Sequence, residues 1–102
     1  MKKAIMVIKD IKGEIYIHPH VSESVGIAIR DFTEEATNEK KSTPLSRYPA
    51  DYDLLHVGWF DPEKGEIESI EATFAMRGKH IGQKKRVEKE ESNVVEVSKK
   101  IN

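Results

Sequence analysis

A chain of 102 residues has room for one domain with a modest core, and not for two. Its 17 basic and 18 acidic side chains nearly cancel, to a formal net charge of −1. Overall charge therefore does not mark a nucleic-acid binder, and any such role must rest on local clustering. Cysteine is absent, which excludes a disulfide framework, thiolate metal sites and thiol catalysis.

Hydrophobic residues make up 37% of the chain and charged residues 34%. That balance predicts a small core plus a solvated segment. The chain starts Met1-Lys2-Lys3 with an apolar run, as a signal peptide does. The run stops at Lys9-Asp10, short of the roughly 7–15 apolar residues a signal needs. No uncharged stretch reaches the ~18 residues of a membrane span, so no membrane association is expected.

Residues 4–8 (Ala-Ile-Met-Val-Ile) are apolar at every position and predict a central strand buried on both faces. Lys12-Gly13 marks a turn, and Glu14 to His18 alternates like a half-buried strand that Pro19 should end. From Val21 the period changes. Val21, Val25, Ala28, Ile29, Phe32 and Ala36 recur at steps of three and four, predicting a helix over residues 21–37 with Ser22 as N-cap and Glu23 in the first turn. Gly26 is a flaw in that helix, costing about 1 kcal/mol relative to alanine. Thr37-Asn38 suits its end.

Residues 39–47 are polar, contain Pro44 and read as a loop. Tyr48 to Tyr52 reads as a turn into a strand over Asp53–Phe60. Alternation there places Leu55, Val57 and Trp59 on one face and Leu54, His56 and Phe60 on the other. Asp61-Pro62-Glu63-Lys64-Gly65 is a strong turn sequence, and Glu66 to Ile70 returns as the second arm of a hairpin. Ala72 to Met76 is a candidate final core segment. Charge dominates residues 77–93, and Val94 to Val97 is a candidate short strand.

Five motifs stand in a recognisable order: Asp10, Tyr16 and Pro19; Ala28-Ile29-Arg30-Asp31-Phe32; Tyr48-Pro49-Ala50-Asp51-Tyr52; Gly58-Trp59-Phe60-Asp61; and Gly65. In this the chain resembles, over residues 4–72, the small nonstructural protein of gokushoviruses, single-stranded DNA phages of the Microviridae. The family often has an aromatic after the proline, where this chain has His20. The resemblance implies a nonstructural factor made in the infected cell, acting where replication switches to synthesis and packaging of single-stranded genomes, with DNA binding often proposed. It carries over no catalytic residue. The stretch from Arg77 onward lies outside it.

Several residue groups invite a chemical reading. His18 and His20 flank Pro19 and would need His56 or His80 as a third metal ligand; ordinary edge residues are the simpler reading, and no metal or other cofactor is expected. Arg30 is a candidate phosphate or partner contact, but a pair with Glu34 one helical turn on, or a structural contact to the loop, is the favoured reading. Tyr16, Tyr48, Tyr52, Trp59 and Phe60 invoke base stacking on a sheet. Yet Asp51, Asp53, Asp61, Glu63 and Glu66 lie beside them in sequence and would repel phosphate, which favours a core and turn cluster. Arg77, Lys79, Lys84, Lys85, Arg86 and Lys89 form the one basic concentration, blunted by Glu88, Glu90 and Glu91, and fit salt-dependent phosphate binding or a solvated charged segment equally. No phosphate loop, catalytic triad or His-Glu-x-x-His motif is present, so no enzyme is expected.

The sequence thus predicts an α+β domain over residues 1–76, a small, mainly antiparallel sheet with one packed helix, and a charged extension over residues 77–102. The expected function is a phage factor of the host-cell cytoplasm that assists single-stranded DNA synthesis or packaging by non-specific binding to single-stranded DNA. Partners from the viral or host replication or packaging machinery fit the same role. The alternative is an interaction module that binds a host or viral protein without touching DNA. A two-sided apolar strand in so small a chain also predicts a homo-oligomer, joined through a sheet edge or the exposed side of the helix.

Overall fold

The computed structural model describes residues 1–81. Two β-hairpins enclose a helical segment. Strand β1 (Lys3–Asp10) turns into β2 (Ile15–Ser22); helix α1 (Val25–Thr37), a 3₁₀ turn at Glu39–Lys41, the one-turn helix α2 (Pro44–Arg47) and a second 3₁₀ turn at Pro49–Asp51 follow; β3 (Tyr52–Asp61) and β4 (Glu66–Arg77) close the sheet. The strand order is β2-β1-β3-β4 and every neighbouring pair is antiparallel. β2 and β3 therefore run in the same direction on either side of β1, with α1 in the crossover between them, a split β-α-β arrangement. The fold is the α+β architecture expected, with β1 inside the sheet.

Local chemistry explains the element ends. The Ser24 hydroxyl accepts the Ile27 N–H at 3.1 Å, so Ser24, not Ser22, caps α1, and the helix begins at Val25. Val21 and Ser22 belong to β2, which runs through Pro19 instead of stopping there. Pro19 is tolerated because β2 is an edge strand and because His18, at φ +50°, bulges the chain just before it. The polar stretch 39–47 is more ordered than a loop: Thr43 accepts the Ser46 N–H and Pro44 starts α2. In the β3–β4 turn the Gly65 N–H donates to the Asp61 carbonyl at 2.7 Å, Gly65 takes φ +68°, and the Asp61 carboxylate accepts from Glu63 and Lys64 N–H groups. β4 runs the whole way from Glu66 to Arg77 and takes in the segment 72–76.

The helices lie on one face of the sheet. Ala28, Phe32 and Ala36 of α1 and Leu45 of α2 pack against Ala4, Met6 and Leu54, with Trp59, Met76, Ile8 and Ile29 at the margin. Alanines at three of these positions let helix and sheet approach closely. The register places Leu54, His56 and Trp59 together on this side, opposite Ile8, Met6 and Ala4. A register break at Val57 shifts the alternation, so Trp59 shares a face with Leu54 and His56, and Val57 is not in the core cluster. His56 Nε2 lies 2.8 Å from the Gly58 carbonyl across this break; a carbonyl only accepts, so Nε2 carries the proton. β1 is fully buried at Ala4 and Met6, but Ile5 and Val7 on its other face are half-buried, which corrects the two-sided burial expected. The core continues past residue 76. Residues 78–81 form a helical turn whose Ile81 joins the cluster, and Gly78 packs against the Pro49 and Tyr52 carbonyls with no space for a Cβ.

Candidate functional site

The face of the sheet turned away from the helices carries the most functional chemistry. Cross-strand partners share a face, so the register defines its rows from β2 to β4. One row is Tyr16, Lys9, Asp53 and Arg77. The next holds Val7, Leu55 and Phe74, then Val21, Ile5, Gly58 and Ser69, then Lys3, Phe60 and Ile67. The two helices and Ile81 all pack on the opposite side, so among the described residues no helix covers this face. Tyr16 is 58% and Phe74 48% exposed. Each ring has a cation beside it: the Arg77 guanidinium carbon lies 4.0 Å from the Phe74 centroid, and Lys9 Nζ 5.8 Å from that of Tyr16.

The acidic residues that argued against phosphate in the sequence are occupied elsewhere. Asp53 is buried, and its carboxylate accepts the Gly78 N–H at 3.1 Å. Asp51 lies 3.6 Å from Lys12, and Asp61 caps its turn. Glu63 and Glu66 sit at the far end of the sheet from Arg77. There Lys2 lies in the field of Glu68, Asp61 and Glu66; its hydrogen bond to Glu68, at 3.0 Å, is the largest cause of a pKa above the ordinary lysine value. That end thus mixes Glu66 and Glu68 with Lys2, Lys3 and Lys64, and the opposite end bears Lys9, Arg77 and the exposed Lys79.

Among the basic residues the sequence nominated, Arg77 ends β4 on this face and Lys79 follows in the helical turn. Lys84, Lys85, Arg86 and Lys89 lie outside the described residues, as does the candidate strand at 94–97. Arg30 is exposed and lies 3.4 Å from Asp31, not Glu34, so the expected pair forms with the adjacent residue. The histidines are separated in role. His56 is buried edge-to-face against Trp59, with ring centroids 4.5 Å apart, while the exposed His20 directs Nδ1 to the His18 carbonyl. Among the described residues no three His, Asp or Glu side chains gather closely enough to hold a metal ion, and no helix is long and apolar enough to cross a membrane.

Sequence reasoning missed Phe74 and Lys9. Phe74 read as core, and Lys9 as the end of an apolar run. Their pairing with Arg77 and Tyr16 depends on strand register, for which the sequence carries no local signal. A second feature is a groove of about 650 Å³ between the β2 bulge and α2, walled by Ile17, His18, Pro19, Pro44, Leu45 and Tyr52.

The family described as Phage ORF5 protein matches this chain over residues 3–82. A protein of Chlamydia phage 1 called Protein ORF5 is 36% identical over 45 residues, 44% of this chain and 47% of that protein. The match thus spans about half the length of that relative. No solved structure matches.

Proposed function

The chain belongs to the Phage ORF5 protein family, and from that premise we propose that this phage protein is a non-enzymatic factor that binds single-stranded DNA on its open sheet face. In this reading it acts in the cytoplasm of the infected cell, where single-stranded genomes are made or packaged. One observation carries the proposal: two exposed rings, Tyr16 and Phe74, on one face that no helix among the described residues covers, each with a cation beside it. A ring stacks on any base, and a neighbouring cation neutralises the phosphate that follows. Binding of this kind tolerates sequence and depends on salt. A duplex hides its base faces and would offer the rings nothing to stack on.

The test is fluorescence anisotropy with labelled single-stranded oligonucleotide across a salt series. Each of Tyr16→Ala and Phe74→Ala should weaken binding by about 1–3 kcal/mol, the usual worth of one stacked base. Removing the charges of Lys9 and Arg77 should flatten the log–log salt slope by about 0.7 for each phosphate no longer neutralised. Replacing Lys84, Lys85 and Arg86 by alanine is the comparison arm: a larger flattening there than at Lys9 and Arg77 would move the phosphate-binding role off the sheet. No binding at low salt would overturn the DNA reading. The second reading, a module that docks a viral or host protein, is carried by the groove beside Pro19 and Pro44.

A further inference from the structure

Phe74 and Arg77 stand three residues apart, and in an unbroken strand they would point to opposite faces of the sheet. Here they share one. Met76 pairs with Leu54 and Phe74 with Leu55, so Ala75 is an extra residue in β4 that β3 does not match. This bulge offsets the alternation by one and brings Phe74 to the open face beside Arg77, which pairs with Asp53. Bulges of this kind re-aim side chains, and they recur next to functional sites.

What the bulge brings together is a stack. The Arg77 guanidinium carbon lies 4.0 Å from the Phe74 centroid. An approach in the plane of the ring would be stopped farther out by the ring's own edge, so the cation lies over the face. Leu55, opposite Phe74 on the ladder, is buried, so the pair stands on packed sheet. Arg77 itself is exposed. The Tyr16 end is built differently. There Lys9 Nζ is 5.8 Å from the centroid, near enough to attract the ring and too far to cover it. A base that settles at Tyr16 meets the ring; one that settles at Phe74 meets the guanidinium first.

We propose that Arg77 is the surface on which a base stacks at this end of the face, with the Phe74 ring as the backing that holds the guanidinium flat. The inference rests on the single-stranded DNA reading and assigns the roles of this pair within it. A guanidinium is planar and delocalised. Its face stacks on a base, while its N–H groups, which lie in the plane, donate to a phosphate. Among the described residues no carboxylate lies within ion-pair distance of Arg77, so those donors are not committed to one. One side chain thus supplies both stacking and phosphate contact, and a lysine in its place supplies only the second. At Tyr16 the two tasks are divided between the ring and Lys9.

The test uses the full chain and a labelled oligodeoxythymidylate, read as affinity and as salt slope. Arg77→Lys keeps the charge and loses the plane. It should weaken binding on the order of tenfold and leave the slope unchanged. Arg77→Ala should weaken it further and flatten the slope as well. Phe74→Leu keeps apolar bulk and removes the backing ring, and it should weaken binding by a similar factor. The double variant Arg77→Lys with Phe74→Leu should lose little more than either single one, because the two side chains act as a unit. Should Phe74→Leu fail to fold, Arg77→Lys, at an exposed side chain, still decides. A second readout needs no DNA: the Arg77 Nε–H resonance of the free protein should carry a ring-current shift from Phe74. Its absence overturns the inference whatever the DNA result. Affinity unchanged by Arg77→Lys overturns it and leaves the DNA reading standing. So do additive losses in the double variant, which would make Phe74 itself the stacking surface. No binding by the parent chain at low salt overturns the DNA reading and this role together.

Discussion

At Gly58 a methyl group would sit 2.6 Å from the Glu68 carbonyl oxygen and 3.5 Å from Ile5 Cδ1. The first neighbour is backbone, so the β4 ladder itself must move to admit a side chain. Gly58→Ala should therefore destabilise by about 1–3 kcal/mol, the usual cost of overpacking. Gly26, in α1, is the opposite case. A Cβ there meets only the Ser24 hydroxyl oxygen at 3.9 Å, and Gly26→Ala should stabilise by up to about 1 kcal/mol through helix propensity. Denaturant midpoints of the two variants should shift in opposite directions. The poor fit of Gly26 to a helix was legible in the sequence, because helix propensity is local. The need for glycine at residue 58 was not, because β4 reaches it only through the folded hairpin. The same limit explains Val57. Period-two alternation assumes an unbroken ladder, and the break between His56 and Gly58 moved Trp59 to the helix side.

Among the elements, α1 shows how far a periodic pattern carries. Its stripe of Ala28, Phe32 and Ala36 is buried as the spacing predicts, with Val25 and Ile29 packed at the edge. Its start moved by one turn, since Ser22 and Ser24 are equally good caps in sequence and only pairing of β2 through Ser22 decides between them. Phe32 is 4% exposed at the centre of the helix–sheet interface. Phe32→Ala should cost about 3–5 kcal/mol. A melting temperature unchanged by that substitution would contradict the burial of this helix face. The β3–β4 hairpin was the clearest element in the sequence, because proline, glycine and an aspartate able to accept from the turn announce it together. The length of β4 was not legible, since alternation beyond Ile70 is interrupted by two register breaks against β3.

For the molecule as a whole, the α+β class and the single helix layer could be read from hydrophobic periods alone. The candidate site could not. Arg77 was singled out for its charge, but its ring partner Phe74, and the companion pair Lys9 and Tyr16, exist only once four strands are in register. The acidic residues near the aromatics in sequence misled for the same reason: Asp53 turns out buried and bonded to Gly78, and Asp61 is spent on its turn.

The position of β1 between β2 and β3 also sets the order in which the chain can assemble. The two hairpins close over short turns and need only local encounters. The seam between β1 and β3 joins Lys3 to Phe60 and Asp10 to Tyr52, so everything from β2 to the Pro49–Asp51 turn is a loop that must close before that seam returns any energy. Folding should therefore wait on this encounter, with two preformed hairpins meeting along β1. Met6→Ala, at the seam, should slow refolding. Leu45→Ala, in the outlying helix α2, should leave the refolding rate nearly unchanged and speed unfolding instead. Stopped-flow chevrons of the two variants would show the contrast as a shift of opposite arms, and the reverse pattern would mean that the helical crossover, not the strand seam, organises the barrier.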